Sequence, residues 1–200
     1  MIKKTLFIYA VLVIFVGNAY CLFQGNGIEK IIQPNGLQIS SSTLAAGCET
    51  NIALAACYLF KSDSDFKQYL GYIEIGEFQD LFIQSAIDNL LKSNEYYLKA
   101  YSEFCLKDPL PEMVEKLKVF DYNGFMIKKT LNPVIFNKVK SFLQVANGKG
   151  VITAFNTEIK TILGILQKQT LTISELSEIN RRYNELLLFG NYISEVMYNL

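Results

Sequence analysis

The sequence contains no histidine and no tryptophan. Histidine is the commonest general base and the commonest side-chain ligand of transition metals. Its absence therefore excludes catalytic triads and dyads that use an imidazole, HExxH zinc sites and histidine-ligated haem. The sequence also lacks a phosphate-binding glycine loop and a CxxC pair. We therefore expect no metal site and no cofactor.

The chain has no excess charge of either sign. Its 19 lysines and arginines balance 19 aspartates and glutamates. Proteins that bind nucleic acid carry a basic patch, whereas the basic pairs Lys128-Lys129 and Arg181-Arg182 are ordinary solvated helix surface, so we expect no nucleic-acid partner. Half of the residues are hydrophobic, which excludes a disordered chain and predicts one domain with a sizeable core.

The N-terminus has the pattern of a secretory signal. Lys3 and Lys4 precede an apolar run of about a dozen residues, and Gly17 and Ala19 place small residues before a cut after position 19. The run is too short for a membrane span, which needs roughly 20 residues. We expect residues 1–19 to be a cleaved signal peptide and the protein to be exported, either to a periplasm or to the outside medium.

Two alternatives would keep the protein on a membrane. One is an uncleaved signal anchor. The other is a lipoprotein acylated at Cys21, although the bulky Tyr20 precedes this cysteine where a lipoprotein signal has a small residue.

The four cysteines are disulfide candidates, because an exported chain meets an oxidising compartment. They allow three full pairings. On one helix, Cys48 and Cys57 would lie about 13 Å apart along the axis, and a disulfide needs Cα atoms within about 7 Å. That pair therefore requires a helix break near Thr50. In the alternative, Cys57 and Cys105 are small buried apolar residues on helix faces. The candidates are Cys21, Cys48, Cys57 and Cys105.

Residues 20–43 differ in pattern from the rest of the chain. Turn signals at 25–27 and 34–36 predict a small hairpin or an irregular arm that packs on the main domain.

Residues 44–200 carry apolar side chains at helical spacing. We predict an all-α fold: an antiparallel bundle of about four long amphipathic helices, preceded by one or two short helices. The cap residues Ser62 to Asp65 should begin the second short helix, and Thr172 with Glu175 should form a capping box. Asn132-Pro133 is either a kink in a long helix or the cap and first turn of a new one, and the apolar phase that continues through the proline favours the kink. The expected helices are 44–60, 65–75, 77–105, 111–146, 151–169 and 173–200.

Five polar side chains lie near the apolar seams of the first and last long helices. A pocket lined by them could bind a small polar or aromatic ligand. In the alternative, they satisfy one another at the margin of the core and fix the helix register. These weak ligand-binding candidates are Asn89, Asn94, Tyr97, Tyr101 and Tyr183.

No residue stands out as catalytic. The acid pairs Glu74/Glu77, Glu112/Glu115 and Glu175/Glu178 lie near helix ends, where acids favour the helix dipole.

The expected function is a non-enzymatic module of the cell envelope. Its unidentified partner would be an envelope protein or a small molecule. The alternatives are an enzyme that uses carboxylates or tyrosines in the bundle core, and a membrane-tethered structural protein or lipoprotein. Several acids converging in one buried pocket would favour the enzyme.

Overall fold

A computed structural model describes residues 43–75, 80–102, 111–145 and 148–200. Side chains are described for these residues except 43–50, 53, 101, 102, 111, 113, 148 and 149. The expected signal peptide and nearly all of the expected N-terminal arm lie outside this part of the chain.

The described residues form seven helices packed against one another and no strand, which confirms the all-α fold. Four of the helices are long and three are short. The long ones are not the four long helices predicted, because 44–60 and 65–75 join into one long helix and the predicted helix 111–146 is divided into three short ones. In chain order the seven helices are α1 (Thr43–Glu74), α2 (Asp80–Ser102), α3 (Pro111–Val119), α4 (Tyr122–Lys129), α5 (Pro133–Val145), α6 (Gly148–Leu166) and α7 (Ile173–Tyr198).

The four long helices close a ring. α1 packs on α2, α2 on α6, α6 on α7, and α7 again on α1. α1 and α2 are antiparallel, because Ser62 donates a hydrogen bond to Ala86 O (2.6 Å) while Ser93 donates one to Ala55 O (2.7 Å). The shorter α5 packs on α7 outside this ring.

The prediction of a new helix at the Ser62–Asp65 run is wrong, because α1 continues through it. The side chains that should cap a helix bind other partners instead. Ser62 bonds to α2, and Asp63 accepts a hydrogen bond from Lys67 one turn further along α1. Cap residues mark a helix start only when their side chains bond to their own backbone.

The prediction of one kinked helix over 111–146 is also wrong, since three helices occupy this range. Asp121 accepts from Gly124 N (3.0 Å) and caps α4. Asn132 accepts from Val134 N (3.0 Å) and caps α5. Pro133 therefore occupies a first turn, where its missing N–H costs nothing.

The capping box at the start of α7 is confirmed. Thr172 Oγ1 accepts from Glu175 N (3.2 Å), and Glu175 Oε2 accepts from Thr172 N (2.8 Å). In the described part of the chain, no helix combines the length and apolar character needed to cross a membrane.

Candidate functional site

Two of the five ligand-binding candidates, Asn89 and Tyr183, lie near each other, and the other three do not. Asn89 Nδ2 donates to Asp65 Oδ2 (2.8 Å), and the Tyr183 hydroxyl lies 2.5 Å from Ser62 Oγ. Both therefore meet the same segment of α1.

The other three candidates lie elsewhere. The Tyr97 ring is buried 5.2 Å from the Phe155 ring, and burial raises the pKa of its hydroxyl. Neither that hydroxyl nor Asn94 Oδ1 has a hydrogen-bond partner among the described residues. The side chain of Tyr101 lies outside them.

Asn89 and Tyr183 belong to a polar cluster that joins α1, α2 and α7. It is centred on residues 62–65 of α1. Asp65 Oδ2 also accepts from Ser85 Oγ (2.7 Å) on α2. Most of these polar atoms bond to one another, which matches the alternative reading of mutual satisfaction rather than an open site.

Asp63 is the only buried acid among the described side chains. Desolvation raises its pKa, and the hydrogen bond and charge of Lys67 partly offset this effect. Its Oδ1 has no described partner. One buried acid does not amount to the converging acids that would indicate an enzyme in the bundle core.

An open cleft of about 310 Å³ lies outside the ring, between α5, α6 and α7. Its volume is at the lower end of the range of about 300–1,000 Å³ found for ligand pockets. The apolar lining residues are Ile135, Phe142, Ala154, Leu186 and Phe189. The polar lining residues are Lys138, Thr157, Glu158, Arg182 and Glu185.

The cleft lies between α5 and α6, each of which packs on α7. The floor comes from α7. Phe189 is held there by an edge contact with Phe142 of α5 (5.4 Å between ring centroids) and by Phe155 of α6 (5.6 Å). These aromatic contacts fix the apolar surface before any ligand arrives.

Charges lie at one end of the cleft on both α6 and α7. Arg182 pairs with Glu158 of α6 (2.6 Å), while Phe155 meets Phe189 one to two turns further along α7. The two helices are thus antiparallel. Glu158 and Arg182 mark the polar end, and Ala154 and Phe189 mark the apolar end.

The rim charges are paired with one another. Arg182 Nε lies 2.7 Å from Glu178 Oε1. Arg181 pairs with both Glu178 and Glu185. Hydrogen bonds from Arg181, followed by the charges of both arginines, lower the Glu178 pKa to about 2.

Glu185 also lies 3.6 Å from Lys138 Nζ of α5. The rim therefore holds three cations (Lys138, Arg181, Arg182) and three carboxylates (Glu158, Glu178, Glu185).

The sequence contains a signal for this cleft that the interpretation of α7 did not use. Arg182, Glu185, Leu186 and Phe189 follow one another at spacings of three, one and three, which places them on one face of the helix. Because Tyr183 and Leu186 define the face toward the ring, this neighbouring half-polar face was read as solvent surface. Only the packing of α5 and α6 turns it into a cleft.

Two further features concern ligand chemistry. No group of three or more acidic or cysteine side chains suited to a metal occurs among the described residues. Cys57 is buried and is not a free thiol. No disulfide has both ends among the described side chains. Cys48 and Cys57 lie on one uninterrupted helix, so they are too far apart to pair with each other.

The chain matches no protein-family model, no curated protein and no solved structure.

Proposed function

We propose that this protein is an exported binding module and that the cleft between α5, α6 and α7 holds a small amphipathic ligand. The observation that supports the proposal is the cleft itself, in which an apolar floor meets hydrogen-bonding groups at one end. Ligand sites have this composition, with mostly apolar walls and a few polar groups that orient the ligand. The export part of the proposal rests on the pattern of residues 1–19.

A carboxylate-based enzyme has less support at this cleft. Glycoside hydrolysis needs one carboxylic acid with a raised pKa that donates a proton. Each rim carboxylate instead faces an arginine or a lysine, and the Glu178 pKa is lowered. The rim is suited to fixed charge and to hydrogen bonding, not to proton transfer.

A ligand screen with two matched variants tests the binding function. Ala154 lines the cleft on α6, and its exposed neighbour Thr153 does not. Ala154→Phe should fill the cleft, while Thr153→Phe adds the same ring outside it. Ligand-observed NMR with uncharged aliphatic and aromatic fragments should give hits that disappear in Ala154→Phe and persist in Thr153→Phe. Hits that survive both substitutions would place binding elsewhere and contradict the proposal.

The intact mass of the protein, purified from the compartment in which it accumulates, tests export. A mass that corresponds to cleavage after Ala19 supports a soluble exported protein. A full-length mass, or a lipid-modified chain that begins at Cys21, would instead support the membrane-tethered alternatives.

We also propose the disulfide pairs Cys48–Cys105 and Cys21–Cys57. α1 and α2 are antiparallel, and in their register the backbone of Cys48 lies beside the last residues of α2. α2 ends at Ser102, only three residues before Cys105. Cys57 lies about 16 Å further along α1 from that end, which leaves Cys21 as its partner. Each bond forms by transfer of two electrons and two protons from a pair of thiols to a disulfide donor in the exporting compartment.

Non-reducing peptide mapping distinguishes the pairings. Cleavage after Glu49 separates Cys48 from Cys57, which no lysine or arginine does. The proposal predicts linked peptides 48 with 105 and 21 with 57. A linked 57 with 105 would overturn it.

A further inference from the structure

We propose that the cleft between α5, α6 and α7 selects uncharged amphiphiles, with an apolar body and a neutral hydrogen-bonding head, over amphiphiles that carry a net charge. The inference rests on the proposed binding function and names the class of ligand. It follows from the way in which the charges of the rim cancel.

Among the described residues, every charged side chain at the rim of the cleft faces one of opposite charge. Arg182 is shared between Glu158 (2.6 Å) and Glu178 (2.7 Å), and Arg181 also reaches Glu178 (2.7 Å). Lys138 and Arg181 both approach Glu185. A ligand carboxylate would have to displace a protein carboxylate from an arginine, and a ligand ammonium would have to displace an arginine or lysine. Either exchange leaves one protein charge without its partner.

Arg182 is the rim cation that pairs with carboxylates on both α6 and α7. Its side chain is 24% exposed, whereas that of its neighbour Arg181 is 49% exposed. Solvent therefore screens the Arg182 pairs less than an ordinary surface pair. Arg182 Nη1 donates a hydrogen bond to Glu158, and Glu178 lies 2.7 Å from Arg182 Nε as an ion pair without hydrogen-bond geometry. Two carboxylates already offset this one positive charge, so a third anion gains little.

A neutral head can bind without breaking any pair. Each ionised carboxylate offers about four acceptor positions, and one arginine fills only part of them at Glu158. The hydroxyl of a ligand can therefore donate to Glu158, or to the Thr157 oxygen, whose own hydrogen is donated to Thr153 O (2.8 Å). The apolar body then lies toward Ala154 and Phe189.

Calorimetric titration with 1-heptanol, heptanoate and heptylammonium tests the inference, because these probes share one chain and differ in head charge. We expect heptanol to bind up to about fivefold more tightly than either ion, which corresponds to the loss of one partly exposed ion pair. Ala154→Phe should abolish binding of all three probes.

A charge-removing variant and a matched control test the cause. Glu158→Gln leaves the rim with one excess positive charge and should improve heptanoate binding relative to heptanol by up to about fivefold. Glu115→Gln removes the same charge from α3, where Glu115 pairs with Lys118 away from the cleft, and should leave the ratio unchanged. An unchanged ratio in Glu158→Gln would overturn charge cancellation as the cause of selectivity.

The failures of the two proposals are distinguishable. If an ion binds the wild-type cleft as tightly as heptanol, and Ala154→Phe abolishes this binding, the ligand class is wrong and the binding function stands. If no probe binds, or if binding is insensitive to Ala154→Phe, both fail. Self-association that rises with protein concentration and is lost in Ala154→Phe would identify a second copy as the occupant, which also overturns the inference.

Discussion

The hydroxyl of Ser62 on α1 lies 2.5 Å from the phenolic oxygen of Tyr183 on α7, and both side chains are buried. Ser62 has one hydrogen to donate, and it donates this hydrogen to Ala86 O on α2. The Tyr183 hydroxyl must therefore be the donor to Ser62. One serine thus connects three of the four helices in the ring.

Removing Ser62 should cost more stability than removing the hydroxyl of Tyr183. Tyr183→Phe deletes one hydrogen bond, worth about 0.5–1.5 kcal/mol, and leaves Ser62 bonded to Ala86. Ser62→Ala deletes both hydrogen bonds and leaves the buried Tyr183 hydroxyl unsatisfied, at about 1–3 kcal/mol, while Ala86 O keeps its hydrogen bond within α2. Urea unfolding measures both values, and Ser141→Ala on the exposed face of α5 is the control. Equal losses for Ser62→Ala and Tyr183→Phe would contradict the connection.

Asp63 should make stability depend on pH. Desolvation by burial raises its pKa, so ionisation costs more in the folded than in the unfolded state. This cost is absent below the usual carboxyl range near pH 4 and grows as pH rises through the folded pKa. Asp63→Asn should therefore match wild type in acid and be more stable at neutral pH. Thermal melting at several pH values measures the difference, and Asp88→Asn on the exposed face of α2 should show none.

The capping box of α7 should give an acid transition of the opposite sign. Hydrogen bonds from Lys168 and then from Thr172 lower the Glu175 pKa to about 2. Its contribution is present above about pH 4.5 and is lost as pH falls toward 2. Thr172→Ala should cost about 1 kcal/mol at pH 7 and should flatten this acid dependence. Thr161→Ala, in the middle of α6, is the matched control. Unaltered acid unfolding in Thr172→Ala would disprove the assignment.

Thr130 should be a site where glycine stabilises the fold. It ends α4 with a φ of 54°, in the left-handed region that is unfavourable for β-branched residues. Thr130→Gly should raise the free energy of unfolding by about 1 kcal/mol. Thr161→Gly should lower it, because there the backbone is ordinary α-helix. A loss of stability at position 130 would show that the threonine side chain outweighs its backbone strain.

Periodicity predicted the all-α fold and the long helices α2, α6 and α7, because a repeated apolar stripe is the direct consequence of burying one helix face. Local cap chemistry was less informative. Thr172, with Glu175 three residues later, caps a helix, whereas Ser62, followed by Asp65, bonds to another helix. The helical spacing of apolar residues continues past Pro133, so the pattern did not indicate the new helices that begin after Asp121 and Asn132.

The candidate site was less predictable than the fold. Asn89 and Tyr183 were singled out as polar residues beside the core, and the structure brings both to the 62–65 segment of α1. The cleft depends on the packing of both α5 and α6 on α7, which is a long-range result of the fold. Arg182 and Glu185 therefore resemble ordinary surface charges until three helices are placed together.

The central claim is that the cleft between α5, α6 and α7 binds a small amphiphile. The most direct measurement is protein-observed NMR of the isotopically labelled chain titrated with 1-heptanol. The account predicts saturable shifts of the backbone amides around Ala154, Leu186 and Phe189, with none around Ser62 on α1. Shifts centred on residues 62–65, or no saturable shifts at any position, would contradict it.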